Sequence, residues 1–160
     1  MEKLIDFTEL HKVLTEYGND VAAHYKDALS NNDHVASKTL INSIKTAVVV
    51  GDQAYEVTMT LADYWKYVEN DTRPHFPPPS ALMKWIEVKP VIPRPLANGK
   101  LPTTKQLAYL IGRKIATVGT TGTHDLEKSK GDVFKWYQER LSAALGHDVS
   151  NYIRKIISTK

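Results

Sequence analysis

Between Tyr64 and Ile86 the chain reads YWKYVENDTRPHFPPPSALMKWI, and this crowding of aromatic, acidic and proline residues limits what can be built around it. A proline holds φ at roughly −65° and has no backbone N–H, so the run from Arg73-Pro74 to Pro77-Pro78-Pro79 suits neither a helix interior nor a central strand. Four more prolines fall in KPVIPRPLANGKLPT, from Lys89 to Thr103, which marks a second exposed excursion. Such loops lose little backbone entropy on docking and leave carbonyls free for a partner. The segment offers no plausible catalytic set. It reads as a shaped surface, and assembly is the first expectation.

Regular elements must therefore lie on either side of the prolines. From Phe7 to about Ser30, Leu10, Val13, Leu14, Tyr17, Val21, Tyr25 and Leu29 recur at steps of three and four, the stripe of an amphipathic helix. Asp6 or Thr8 is placed to cap its start, Gly18 weakens it locally, and Asn31-Asn32-Asp33 favours a stop. Ile41 to Thr60 reads as two strands: Thr46–Val50 is rich in β-branched residues, Gly51-Asp52-Gln53 is a turn, and Tyr55–Thr60 alternates. A hairpin this small is marginal alone, so a helix, further strands or a neighbouring subunit must cover its face and finish its edge. Ala62–Val68 suits a short helix, Pro79 or Ser80 starts another reaching Val88, and Thr104–Val118 suits a third with Leu107, Leu110, Ile111, Ile115 and Val118 inward. Gly119-Thr120-Thr121-Gly122-Thr123 ends that helix. Val133–Leu145 and Val149–Ile157 make one long terminal helix, or one broken around Gly146. The expected class is α+β: a long N-terminal helix packed on a small antiparallel β-sheet, with further helices in the C-terminal half, in a single domain over residues 1–160.

Composition narrows the function. No run of eighteen apolar residues is present, and MEKLIDFTEL lacks the basic-then-apolar order of a signal peptide, so no membrane passage is expected. The absence of cysteine excludes disulfides, thiolate metal sites and cysteine nucleophiles. Charge is bipolar: residues 1–72 carry −6 and residues 73–160 carry +9, for the formal +3 overall. The acidic half argues against a general polyanion binder. If the halves occupy different faces, identical copies can meet acidic face to basic face, a heterologous contact that closes into a ring when the rotation allows.

Enzyme chemistry finds no support. The six histidines form no HExxH pair, Ser43 and Ser80 lie in no GxSxG elbow, and Gly119-Thr120-Thr121-Gly122 lacks the Lys-Ser/Thr ending of a P-loop. His124-Asp125 are neighbours in sequence, which establishes neither a nucleophile nor a pocket. No catalytic residue, metal or cofactor is expected. Trp65 and Trp85 suit core anchoring at least as well as a contact role. Glu69 is read as a surface partner for Arg73 or Arg113, worth about 0–1 kcal/mol.

The order of these features resembles a family. The N-terminal helix, Leu40...Ser43-Ile44 leading into the hairpin, Tyr64...Tyr67-Val68-Glu69, the Arg-Pro and Pro-Pro loop, Trp85-Ile86, Ala108-Tyr109...Ile111...Arg113-Lys114-Ile115 and Gly119-Thr120 look like the neck and tail-completion proteins of tailed bacteriophages and prophages, over about residues 35–125. Where the family has glycine after the glutamate this chain has Asn70-Asp71, and asparagine can take the left-handed conformation glycine would use. The excursion from Lys89 to Thr103 is longer than the family pattern.

The resemblance implies a small α+β virion protein without enzymatic activity, made in the cytoplasm of a bacterial host and working as a homo-oligomeric ring at the head–tail junction. Other connector, portal-adaptor or tail proteins would be its partners. DNA would pass through the channel without sequence-specific binding. Assembly contacts are then expected at Tyr64, Tyr67, Glu69, Arg73, Pro74, Pro77, Pro78, Pro79, Pro93, Arg94 and Pro95. The alternative is a small basic nucleic-acid-binding protein using Trp136 and Tyr137 with Lys135 and Arg140.

Overall fold

The computed structural model describes residues 7–31, 38–51, 54–89, 91–97 and 99–158. The elements are α1 (Thr8–Asn31), α2 (Thr39–Ser43), β1 (Lys45–Val50), β2 (Tyr55–Thr60), α3 (Trp65–Glu69), α4 (Pro79–Val88), α5 (Thr104–Val118) and α6 (Asp125–Ser158). The expected class holds: a long N-terminal helix packs on a two-stranded antiparallel sheet, and helices fill the C-terminal half. The chain divides into two compact units, the first of residues 1–31, 43–61 and 125–160, the second of 32–42 and 62–124.

In the first unit α1 lies between the hairpin and α6. Val13, Val21, Tyr25 and Leu29 are buried along the anticipated stripe, and Gly18 and Ala22 join them. Gly18 does more than weaken the helix: a Cβ there would stand 2.9 Å from Val57 Cγ1, so its hydrogen lets α1 settle onto the sheet. Beside it, Thr46 Oγ1 donates to Asn19 Oδ1 at 2.8 Å. On its other side α1 runs antiparallel to α6. Glu16 pairs with Arg140, the Tyr137 hydroxyl donates to Asp20 Oδ2 at 2.6 Å, and His24 meets the Trp136 ring edge-on at 4.9 Å. Among the described residues neither Thr8 nor any other near neighbour caps the start of α1. Glu9 N–H donates to Asp148 Oδ1 at 3.2 Å and Leu10 N–H to Oδ2 at 2.8 Å, so a buried carboxylate on α6 does the work of a local N-cap. Asp6, and Asn32-Asp33 at the far end, lie outside the described residues.

One expectation about the strands changes, and the choice between a long and a broken terminal helix is decided. Ile41–Ser43 belongs to the single turn of α2 rather than to a strand, entered through Lys38 at φ 56° with Asn42 N–H bonded to Lys38 O, and the strand starts at Lys45. The terminal helix is unbroken for 34 residues, starts at Asp125 and runs through Gly146, where a Cβ would meet nothing. A solvent-facing glycine costs a helix only about 1 kcal/mol, too little to break one held by α1 on both sides of it, at Arg140 and Asp148. The hairpin pairs Val48 with Val57 and Val50 with Tyr55 in register. Tyr55 meets Phe7 edge-on at 5.6 Å, while Val49 on the opposite face and Val50 at the strand end are close to half exposed.

Tyr137 supplies a pH-dependent contribution. Burial, then its bond to Asp20, raises its pKa above the usual tyrosine value of about 10. A raised folded-state value means the native chain holds the proton more tightly than the unfolded one. The stabilisation is therefore complete below pH ~10 and is lost as pH climbs through the raised value. Tyr137→Phe should flatten the decline of stability above pH ~10 in denaturant titrations, and lower stability at pH 7 by about 1 kcal/mol.

In the second unit α4 packs against α5. Their close approach is set at Gly112, where a Cβ would lie 2.9 Å from Phe76 Cζ and 3.3 Å from Leu82 Cδ1. Pro79 occupies the first position of α4 and Pro78 its N-cap, the place where a missing N–H costs nothing. Thr103 and Gln106 form a reciprocal capping box for α5, and Gly119 at φ 76° ends it. Its buried side differs from the anticipated one. Ala108 and Gly112 are buried, Leu107, Ile111 and Ile115 are half-buried, and Leu110 and Val118 face outward.

Candidate assembly surface

The proline loop is anchored by a clasp between residues 68–72 and 119–124. Thr123 N–H donates to Val68 O at 3.0 Å, His124 N–H to Glu69 O at 3.1 Å and Thr72 N–H to Thr120 O at 2.9 Å. Thr120 N–H returns a bond to Thr72 Oγ1 at 3.0 Å, the two threonine hydroxyls sit 2.7 Å apart, and Gly122 N–H reaches Asp71 Oδ1 at 2.8 Å. The composition of Gly119-Thr120-Thr121-Gly122-Thr123 follows from this contact. A Cβ on Gly119 would stand 2.0 Å from Thr72 O, and one on Gly122 2.3 Å from Glu69 O, so both glycines sit where two backbones touch. The segment does end α5, as anticipated, and it also fastens the loop that carries the prolines.

Glu69 takes part in the clasp and is not a surface residue. It is 5% exposed and its carboxylate accepts from Thr123 Oγ1 at 3.4 Å, which replaces the anticipated exposed ion pair with a buried structural role. Asn70, expected to substitute for a left-handed glycine, is extended at φ −107°, ψ 152°; the conformation is instead dictated by the pairing of Asp71 and Thr72 with 120–122.

Beyond the clasp the remaining candidates lie mostly outward. Tyr64, just before α3, and Tyr67 on it are exposed, Tyr67 at 71%, whereas Trp65 is half-buried. Arg73 and Pro74 are exposed, and His75 Nδ1 lies 2.8 Å from Arg73 O. Phe76 turns toward α5, its ring 6.1 Å from Tyr109, with both rings about half exposed. Pro77 is half-buried, while Pro78 and Pro79 are exposed within the first turn of α4. Exchanging all three for glycine would therefore disturb the start of α4 along with the surface. In the excursion Pro93 is half-buried and Arg94 and Pro95 are exposed. A turn closes behind them, with Leu96 N–H bonded to Lys100 O at 2.9 Å and Gly99 N–H to Leu96 O at 2.8 Å. Ile92 stands 93% exposed, an apolar side chain with almost nothing around it.

Sequence reasoning missed Asp71, Thr72 and Thr120 as organisers of this surface. The signal was the pair of glycines three apart among threonines, which marks a close backbone approach. Among the described residues no three His, Asp or Glu side chains converge as a metal site would require. No family model, no curated protein and no solved structure matches the chain.

Proposed function

We propose that the chain is a structural virion protein, an oligomeric ring adaptor at the head–tail junction of a tailed phage. The ordered motifs from Leu40 to Thr120 support that reading, and one observation carries it toward assembly. Large apolar side chains stand outward on loops and short elements of the second unit: Tyr67 at 71%, Leu101 at 64% and Ile92 at 93% exposed. Scattered exposed apolar residues are ordinary, but here they accompany two rigid proline segments, which suits a surface completed by a neighbour. The partners are then further copies of the chain and adjoining connector or tail proteins, with DNA crossing the channel unread. No helix among the described residues is long and apolar enough to cross a membrane.

The nucleic-acid alternative loses Tyr137, which is buried, while Trp136, Lys135 and Arg140 stay exposed, the two cations in surface ion pairs with Asp132 and Glu16. Reconstruction of virions carrying this chain should place several symmetric copies at the neck. A single copy, or none there, overturns the reading. Steeply salt-dependent DNA binding by the isolated protein would favour the alternative instead.

A further inference from the structure

The hairpin presents an unfinished edge of known phase. Gly51 N–H bonds to Ala54 O at 2.8 Å, and with the register Val49–Glu56 and Ala47–Thr58 this makes those pairs the hydrogen-bonded ones. Tyr55, Val57 and Met59 therefore turn their N–H and C=O groups away from β1, and among the described residues those groups meet no partner. The excursion supplies the matching half. In Ile92-Pro93-Arg94-Pro95 every second residue is proline, so in an extended chain the remaining N–H groups, of Ile92 and Arg94, point to one side, and neither has a partner among the described residues. A segment that can pair on one side only is an edge strand by construction.

We infer that this segment of one copy adds as an edge strand to β2 of a second copy. Charge selects the strand and the direction. Glu56 is the acidic residue of the described hairpin and lies on β2, whereas β1 carries Lys45. Parallel addition sets Arg94 beside Glu56 on the face away from α1, with Arg94 N–H donating to Tyr55 O and Val57 N–H donating to Arg94 O. Antiparallel addition would put Arg94 on the α1 face, away from that carboxylate. A basic, proline-stiffened strand leaving one copy and an acidic edge receiving it on the next make a heterologous contact, which propagates from copy to copy and closes when the rotation allows. This contact rests on the ring reading of the chain and names the surfaces that would form it.

Because the chain has no cysteine, single-cysteine forms test the contact directly. Glu56→Cys and Arg94→Cys proteins are mixed as full chains and treated with a short bismaleimide. Heterodimers should form about tenfold faster than with Lys130→Cys in place of Glu56→Cys, since a docked pair has a far higher effective concentration than a random encounter. Ile92→Pro added to the Arg94→Cys chain removes one pairing N–H from an exposed position and should abolish that excess while leaving circular dichroism unchanged. Rates equal to the control, cross-links of Glu56→Cys to itself, or only intramolecular products in the doubly substituted chain would each overturn the inference. A doubly substituted chain yielding a ladder that ends in a closed oligomer supports contact and ring together. An open-ended ladder keeps the contact and sinks the ring, whereas ring particles without the 56–94 cross-link keep the ring and sink the contact.

Discussion

Gly119→Ala is expected to be among the most damaging single-methyl changes in this protein. The added carbon would sit 2.0 Å from Thr72 O and 3.1 Å from the Thr72 carbonyl carbon, both backbone atoms, at a residue whose φ of 76° already disfavours an L side chain. Neither strand of the clasp can give way without breaking the Thr72–Thr120 bonds. We expect a loss of more than about 3 kcal/mol, the range reached when strain and lost hydrogen bonds combine. For a chain of this size that lowers Tm by roughly 10 °C. Gly122→Ala, 2.3 Å from Glu69 O, should behave alike, while Gly131→Ala and Gly146→Ala meet nothing and should stabilise by up to about 1 kcal/mol. Thermal unfolding of the four variants checks this. Equal melting temperatures would mean that residues 68–72 and 119–124 are not in contact.

The second large effect is expected at Asp148. Its carboxylate takes the N–H groups of Glu9 and Leu10, the donors a local N-cap ordinarily serves, and Phe7, the residue before α1, has no side-chain oxygen to replace it. Asp148→Ala should cost about 1–2 kcal/mol, the loss of a cap that leaves two part-buried donors without a protein acceptor. Asp148→Asn keeps one acceptor oxygen and should cost about half as much. Amide exchange at Glu9 and Leu10 should accelerate far more than exchange at the middle of α1. Unchanged exchange there would show that α1 starts on its own.

Asp148 at the start of α1 lies beyond the reach of local causes. Periodicity placed α1, α4 and α5 within a residue or so of their ends, because apolar spacing, Pro79 at a helix start and Gly119 at a helix end act over a turn or two. Alternation and β-branching likewise located both strands. The candidate surface was legible for the same reason: prolines are excluded from cores by their own covalent geometry, and Arg73, Pro74, Arg94 and Pro95 are exposed. Glu69 was misplaced because a carboxylate's burial depends on which donors another part of the chain brings to it.

Each element with a local cause is therefore legible along the chain: where helices start and stop, where strands alternate, and which loops cannot be core. Features caused by residues far apart in the chain emerge with the folded contacts alone. Gly18 reads as a flaw in a helix until Val57 is set 2.9 Å from where its Cβ would be. Gly146 leaves a long and a broken helix both open until α1 is set against residues on both sides of it, at Arg140 and Asp148. Asp148 has no local sign of being the cap of a helix that begins 140 residues earlier. Long-range contacts of this kind exploit the absence of a side chain, or one buried carboxylate, and neither leaves a periodic trace along the chain.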